Sequence, residues 1–343
     1  MNTDPRSDLL RYYSRYYWPG VVDLSSSNPP PVPLDIEPAS HIEPGELSYV
    51  PPSGCENLRQ AIANHYETVE PGELLITAGA SEALAAIALS LVRRGDVVVV
   101  DRGSYPSFVE GARTAGGEIL RSAVPVRGAK IAAACNPSAP DGQLVNLDAY
   151  LARAESCGAI AVLDEVYRDL VHDGVPAPAA VDRSATAVSV GGLSKPLGMG
   201  GLRIGWIATH HRELRERFDR QLQLLSGGPA SLSARAAVAA FQCHERTVAA
   251  TLERVRANSG PVYRVLDAAG WRYSRPVAGL TLEARPPAPA TLAGEERVRK
   301  AGMFLVPGEM YAAPGAYRIS LLAEPGMLGQ ALEFLAEPFP PCQ

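Results

Sequence analysis

The chain has no apolar run long enough to cross a bilayer: stretches such as Ala83 to Val92 and Val97 to Val100 end in charge well short of the ~20 residues a spanning helix needs. It shows no secretory leader, because Met1 to Leu10 is polar and carries Asp4, Arg6 and Asp8 where such a leader has basic and then apolar residues, so a cytoplasmic protein is expected. It has no long basic block. The 32 Lys and Arg face 37 Asp and Glu, a net charge of -5, and that balance disfavours a nucleic-acid partner. Cysteine is scarce and unpaired: Cys55, Cys135, Cys157, Cys243 and Cys342 are scattered, form no Cys-x-x-Cys motif, and read as reduced thiols, mostly in packing roles. His210-His211 beside Glu213 has no third ligand at useful spacing, so no metal site is expected. There is no internal repeat.

What is present is 343 residues with 46% hydrophobic side chains, enough to bury a substantial core in one large and one small domain. Leu9 to Trp18 is rich in Tyr, and a short helix there puts Tyr13, Tyr16 and Tyr17 on one face. Ser25 to Pro52 is rich in Pro and Ser and reads as an ordered, extended arm. A helix is predicted over Glu56 to His65. From Leu74 onward short apolar runs alternate with helical segments. The runs are Leu74–Thr77, Val97–Val100, Ile131–Cys135, Ile160–Leu163, Ala187–Val190 and Ile204–Ala208, with helices expected over Ser81–Arg93, Ser107–Ala115 and Leu147–Glu155. That pattern predicts an α/β fold with a mainly parallel sheet covered by helices, its site at the carboxyl ends of the strands. Beyond Gly205, long helices over Arg212–Leu224, Ser231–Phe241 and Glu245–Ala269 lead into short strands at Trp271–Ala284, Gly302–Val306 and Tyr317–Leu322, a small α+β domain. The expected division is 1–48 as arm and part of the small domain, 49–244 as the large domain and 245–343 as the small one.

Three segments carry chemistry. Ser189 to Trp206 is a strand end followed by a glycine-rich turn holding Lys195, with Arg203 eight residues on to clamp a phosphate, a pairing that suits a phosphate-bearing aldehyde. A surface turn or part of a dinucleotide loop is the plainer alternative. Asp164 ends the run Ile160 to Leu163; buried there, it needs a partner such as a protonated pyridine nitrogen, with Tyr167 three residues on able to bond a phenolic oxygen, or else it caps the next helix. Thr77-Ala78-Gly79-Ala80-Ser81 is a strand, a glycine turn and a helix start, whose free amides and Ser81 hydroxyl suit an anion, or in which Ser81 simply caps its own helix. Tyr105, after the run Val97 to Val100, can lie on a ring face or pack in the core.

Taken in order, these residues resemble the class I/II aminotransferases of the pyridoxal-phosphate fold type I superfamily. The ordered set is Tyr49, Gly54 with Leu58-Arg59, Gly79-Ala80-Ser81-Glu82, Tyr105, Asn136-Pro137, Asp164 with Tyr167, Ser194-Lys195, Arg203-x-Gly205, and Arg318 within Tyr-Arg-Ile-Ser, and it covers nearly the whole chain. The resemblance implies an aspartate aminotransferase-like fold with a seven-stranded-type sheet. It implies pyridoxal 5'-phosphate held as a Schiff base on Lys195, which then moves the substrate's α-proton. Arg203, Ser194, Ser81 and the Ala80 amide would hold the phosphate, Tyr105 would stack on the ring, and Asn136, Asp164 and Tyr167 would contact it. Arg318 would grip the substrate carboxylate, with Asn28 as a second substrate contact. Tyr49 would reach the phosphate of a neighbouring subunit, implying a homodimer with shared sites.

Two positions depart from the family pattern. Ala139 stands where the family has an Asn that bonds the ring's phenolic oxygen, and Gly192 stands where it has a Ser or Thr on the phosphate. A missing donor to that oxygen alters the ring's charge distribution. The segment Tyr167 to Asp173 and the opening Asp23-Leu24-Ser25-Ser26-Ser27 also resemble the branch containing capreomycidine synthase. The leading reading is therefore an aminotransferase acting on an α-amino acid or close amine, with a β- or γ-eliminating lyase or cyclase, or a decarboxylating enzyme, as the alternative. A third reading, the aminotransferase-like half of a transcription regulator, needs a helix-turn-helix domain for which no room is expected ahead of Leu74.

Overall fold

The computed structural model describes residues 9, 12–14, 17, 18, 20–30, 48–51, 53–287, 298 and 300–337. Tyr16 and the 31–47 portion of the arm lie outside them. Residues 9 and 12–14 are helical; β1 (Val22–Asp23) and α1 (Glu56–Ala63) follow, and the chain then alternates through β2 (Leu74–Thr77), α2 (Ala80–Leu91), β3 (Val97–Val100), α3 (Pro106–Thr114), β4 (Glu118–Arg121) and β5 (Ala129–Cys135). It continues with α4 (Leu147–Cys157), β6 (Ile160–Asp164), α5 (Ala180–Arg183), β7 (Val188–Gly192) and β8 (Gly205–Ala208). These strands form one seven-stranded sheet in the order β2-β8-β7-β6-β5-β3-β4, in which β8 alone runs against its neighbours. The expected α/β architecture is what is found.

The local reasons are readable. Strand β5 is apolar from Ile131 to Cys135 and buried on both faces, as a central parallel strand must be when helices cover both sides. Helix α4 starts where the Asn146 Oδ1 accepts the Ala149 N–H at 3.2 Å, and stops where Gly158 takes a φ of 70°. On one face of the sheet Leu84, Ile87, Phe108 and Phe218 pack on Val98, Val190 and Ile207. On the other, Tyr150 and Leu151 pack with Val99, Ala132 and Leu163. Each such side chain contributes about 1.5–3 kcal/mol by leaving water. The edge strand β4 went unpredicted because Glu118 and Leu120 both face solvent, which leaves no buried alternation to read.

Helices α6 (Arg212–Leu225), α7 (Ser231–Gln242) and α8 (His244–Ala268) follow. Leu252, Val255, Val262 and Leu266 of α8 share a core with Leu282, Ile319 and Leu335. Those partners belong to β9 (Arg272–Tyr273), β10 (Thr281–Arg285), β11 (Met303–Phe304), β12 (Val306–Pro307), β13 (Tyr317–Ser320) and the closing helix α9 (Pro325–Ala336), or pack among them. Four of these strands make an antiparallel sheet in the order β12-β13-β10-β9, while β11 pairs in parallel with β1 from the far end of the chain. The arm is tied down along that seam: the Ser320 N–H donates to Leu24 O at 2.6 Å, the Ser25 hydroxyl donates to Arg318 O, and the Val306 N–H donates to the Ser25 Oγ at 2.7 Å. Tyr13 and Tyr17 both pack on Phe304, at 4.9 and 5.4 Å between ring centres.

Candidate active site

Strand register lines up the chemistry. Cys135 pairs with Asp164 and Asp164 with Val190, while Thr77 and Gly192 both pair with Gly205 at the start of β8. The carboxyl ends of β2, β5, β6 and β7 therefore open on one cleft, where doubly wound sheets bind ligands. Its two halves meet at Lys195, Asp164, Val166 and Tyr105, which line both.

Lys195 sits in the turn after β7. That turn is anchored by buried Leu193, Pro196 and Leu197, and closes on itself through the Leu197 N–H on Leu193 O at 3.2 Å. Gly198, at φ 67°, passes directly beneath the arm, where any Cβ would meet Pro29 O at 2.5 Å. The lysine amine donates to Ser27 Oγ at 3.0 Å and to Asn28 Oδ1 at 2.8 Å. Burial pushes it down to about 7, helped by the Arg318 charge and opposed by Asp164.

Asp164 is 7% exposed and accepts the Val166 N–H at 3.3 Å. Burial lifts its carboxyl to about 7, the Asp101 charge adding to the rise and the Val166 bond and Lys195 opposing it. The carboxylate thus caps a turn and also faces the cleft, under-partnered for a buried acid. Tyr167, buried beside it, hydrogen-bonds Ser27, and its ring centre lies 6.0 Å from the Lys195 Nζ. Desolvation raises its phenol well above the usual range.

The other half of the cleft is built from backbone. The cap of α2 is Gly79, at φ 83°, and no side chain caps the helix. Ser81 is therefore not the cap, and it lines the cleft with Ala80 at the open, electropositive end of α2. Gly205 permits this approach, since a Cβ there would lie 2.4 Å from Ala80 N. Arg203 takes a left-handed φ of 52°, a strained choice for a non-glycine residue. It donates to Ala78 O and Gly200 O, each at 3.2 Å, and lines this half with Ser194.

Arg318 projects from β13 into the first half, donating from Nη2 to the Tyr13 hydroxyl and leaving its buried Nε without a partner. Ala139, Met310 and Tyr311 line the same half. Not every expected residue lies there. Asn136 is buried, with its Oδ1 accepting the Val145 N–H at 3.0 Å, and is absent from the cleft lining among the described residues. Tyr49 is fully exposed on this chain. Asn28, expected at a substrate, does line the second half of the cleft, where it accepts from Lys195. Ser27 and Tyr13 were not anticipated; their partners lie 168 and 305 residues away, and no spacing signal connects them.

An under-partnered buried carboxylate, an amine near neutrality and an uncapped helix start fit the three ends of pyridoxal 5'-phosphate: ring nitrogen, aldehyde and phosphate. Residues 20–335 match the family model described as aminotransferase class I and II. A probable aspartate/prephenate aminotransferase of Thermus aquaticus is 26% identical over 323 residues, 85% of this chain and 84% of that protein. Among solved structures, an aspartate aminotransferase mutant of Thermus thermophilus superposes with a TM-score of 0.84 at 24% identity, covering 98% of this chain and 97% of that one. The pyridoxal-phosphate-dependent cyclase OrfR gives the same values, 0.84 and 24%, over 98% and 97% of the two chains. At that identity both structures bear on the fold.

Proposed function

The chain belongs to the aminotransferase class I and II family and is a pyridoxal 5'-phosphate-dependent, aminotransferase-like enzyme of aspartate aminotransferase-like fold; on that premise we propose that it moves an amino group between an α-amino acid and a keto acid at Lys195. The observation that carries this reading is the position of Lys195, the residue that donates to two neutral acceptors at the junction of the two cleft halves.

When bound, the cofactor supplies an aldehyde for an amine and a ring that accepts electrons from the substrate's α-carbon. The rest falls to this chain. The Lys195 amine, lowered to about 7, takes and returns a proton at the α-carbon at neutral pH. Asp164, made costly to ionise by burial, favours a cation beside it and so keeps a ring nitrogen protonated. The start of α2, Ser81, Ser194 and Arg203 hold the phosphate, and Tyr105 lies against the ring. Arg318 takes the substrate carboxylate with its planar fork. We extend the proposal to a homodimer in which exposed Tyr49 reaches the neighbouring site, and to the division at 48/49 and 244/245. The start of α8 at His244 supports the second boundary. Four free cysteines among the described residues support a reducing, cytoplasmic setting, and no described helix is long and apolar enough to cross a membrane.

Elimination, cyclisation and decarboxylation are not favoured, since the sequence relative named above is an aminotransferase. Borohydride treatment of the yellow protein is expected to fix the cofactor on Lys195, one of only three lysines in the chain with Lys130 and Lys300. Mass spectrometry of an amino-acid panel should then show product only when 2-oxoglutarate or pyruvate is present. A label elsewhere, or product formation independent of keto acid, would refute the reading.

A further inference from the structure

We propose that Ser27 and Asn28 are positioning residues for Lys195, receiving its amine whenever that amine is free and holding it where the two halves of the cleft meet. The inference rests on the cofactor reading above and goes beyond it, because it assigns a task to the arm. A lysine that is alternately bound and released has a long, flexible stem that loses rotamer entropy each time it is fixed again. Here the free amine is already fixed, by two acceptors at 3.0 and 2.8 Å.

The acceptors are themselves held. Ser27 is buried and bonded to Tyr167, so one hydroxyl joins the lysine to the phenol. Two residues upstream Ser25 is tied to β13 and to Val306, and two residues downstream the Pro29-Pro30 backbone lies over Gly198 of the lysine turn. The arm is thus clamped on both sides of the two residues that touch Lys195.

Charge around the amine comes from elsewhere. Arg318 of β13 opposes its protonation, while Asp164 of β6 and the Cys135 thiol of β5 favour it. The arm's own Asp23 is turned to the Ser25 N–H and to Arg318. Ser27 and Asn28 are uncharged, so they orient the amine without forcing it to keep a proton, as an acid–base group working near neutrality requires.

The test follows capture of pyridoxal 5'-phosphate by the full-length, cofactor-stripped protein, read as growth of the visible band against pH. Wild type should capture it with a rate that rises through a midpoint near 7. Asn28→Asp should raise that midpoint by about one unit, because a carboxylate favours the ammonium. Asn28→Ala should lower it and cut the high-pH plateau about tenfold, the worth of a lost hydrogen bond. Ser27→Ala should cut the plateau, and Ser27→Thr should restore it. Asn28 is exposed, so its variants should fold normally. Capture by both Asn28 variants with the wild-type midpoint and plateau overturns the proposal while leaving the cofactor reading intact. Failure of wild type to capture the cofactor at all overturns both.

Discussion

Asp164 and Glu165 are neighbours in the chain, both are buried, and burial lifts both carboxyls, to about 7 and about 8, yet they open into different spaces. Asp164 faces the cleft. Glu165 faces a closed nest behind the lysine turn, built from His65, Tyr66, Arg168, Asp169 and His244. In the nest most groups serve one another: Ala180 N–H donates to Glu165 at 2.6 Å, Trp206 donates to the Tyr66 hydroxyl at 2.7 Å, and His244 and Arg168 meet Asp169 at 3.1 and 3.6 Å, while the Glu165 Oε2 is left without a hydrogen bond. His65, its ring centre 4.3 Å from that of His244 and tilted 56° to it, is pushed down to about 4 by burial and by that neighbour, so it is neutral at physiological pH. In the cleft the groups are left wanting. Asp164 has one long backbone bond, and the Arg318 Nε has none. Displaced acidity and a missing hydrogen bond occur in both regions and by themselves mark neither; the cleft is set apart by the convergence of Lys195, Asp164, Arg318 and the open start of α2 on one space.

The sharpest way to break that contrast is Asp164→Asn. Turnover is expected to fall by about 10² or more, because the group acts where charge develops. Stability of the cofactor-free chain should respond in the opposite sense. The folded carboxyl sits near 7, above its unfolded value of 3.8, so its contribution is intact at low pH and is lost as pH rises through 7. Calorimetry of Asp164→Asn should therefore show a flatter decline across that range. Unchanged turnover with a lowered melting temperature would make Asp164 a structural cap. Asp169→Asn should do the reverse, leaving turnover within a few-fold. It should destabilise by about 2 kcal/mol, less than the loss of a fully buried ion partner because Asp169 is partly exposed. A variant that melts as wild type but turns over slowly would put the nest in the catalytic machinery. The smallest effect is expected at Gly192, where a Cβ would sit 3.7 Å from Ala80 N and 3.4 Å from Ile204 O, in ordinary contact. Gly192→Ser should retain cofactor about fivefold more tightly in dialysis, the worth of one added hydrogen bond; weaker retention would show that the phosphate lies elsewhere.

Much of the site was legible because strand ends can be read from apolar runs. Asp164, Lys195, Ala80, Ser81 and Tyr105 each follow one closely, and the structure gathers them in one cleft. The residues that hold the reactive groups were not legible. Ser27 and Tyr13, and the bond of Asn28 to Lys195, come from an extended arm and a short helix whose local pattern carries no trace of a lysine or arginine far along the chain. The sequence left Ser81 open between anion binding and capping its own helix; the structure puts Gly79 at the cap of α2, where φ is 83° and a Cβ would meet the Arg203 Nη2 at 2.4 Å. The departure at Ala139 was visible from sequence, and the residue does line the cleft.

The arm also sets an order of assembly. Tyr12 and Ser25 each bond a backbone carbonyl 293 residues further along, so the arm, made before the sheet, waits for partners made long after it. Domains fold from the N-terminal side as they emerge, and the seven-stranded sheet is complete once β8 is made. A product that stops before β13 can build that sheet and lacks the strand that carries Arg318 and receives Ser25. Its lysine turn then has no clamped arm above it and no fork for a substrate, so a prematurely ended chain carries an aldehyde-reactive amine with nothing to direct it. Competence is withheld until β13 has been made.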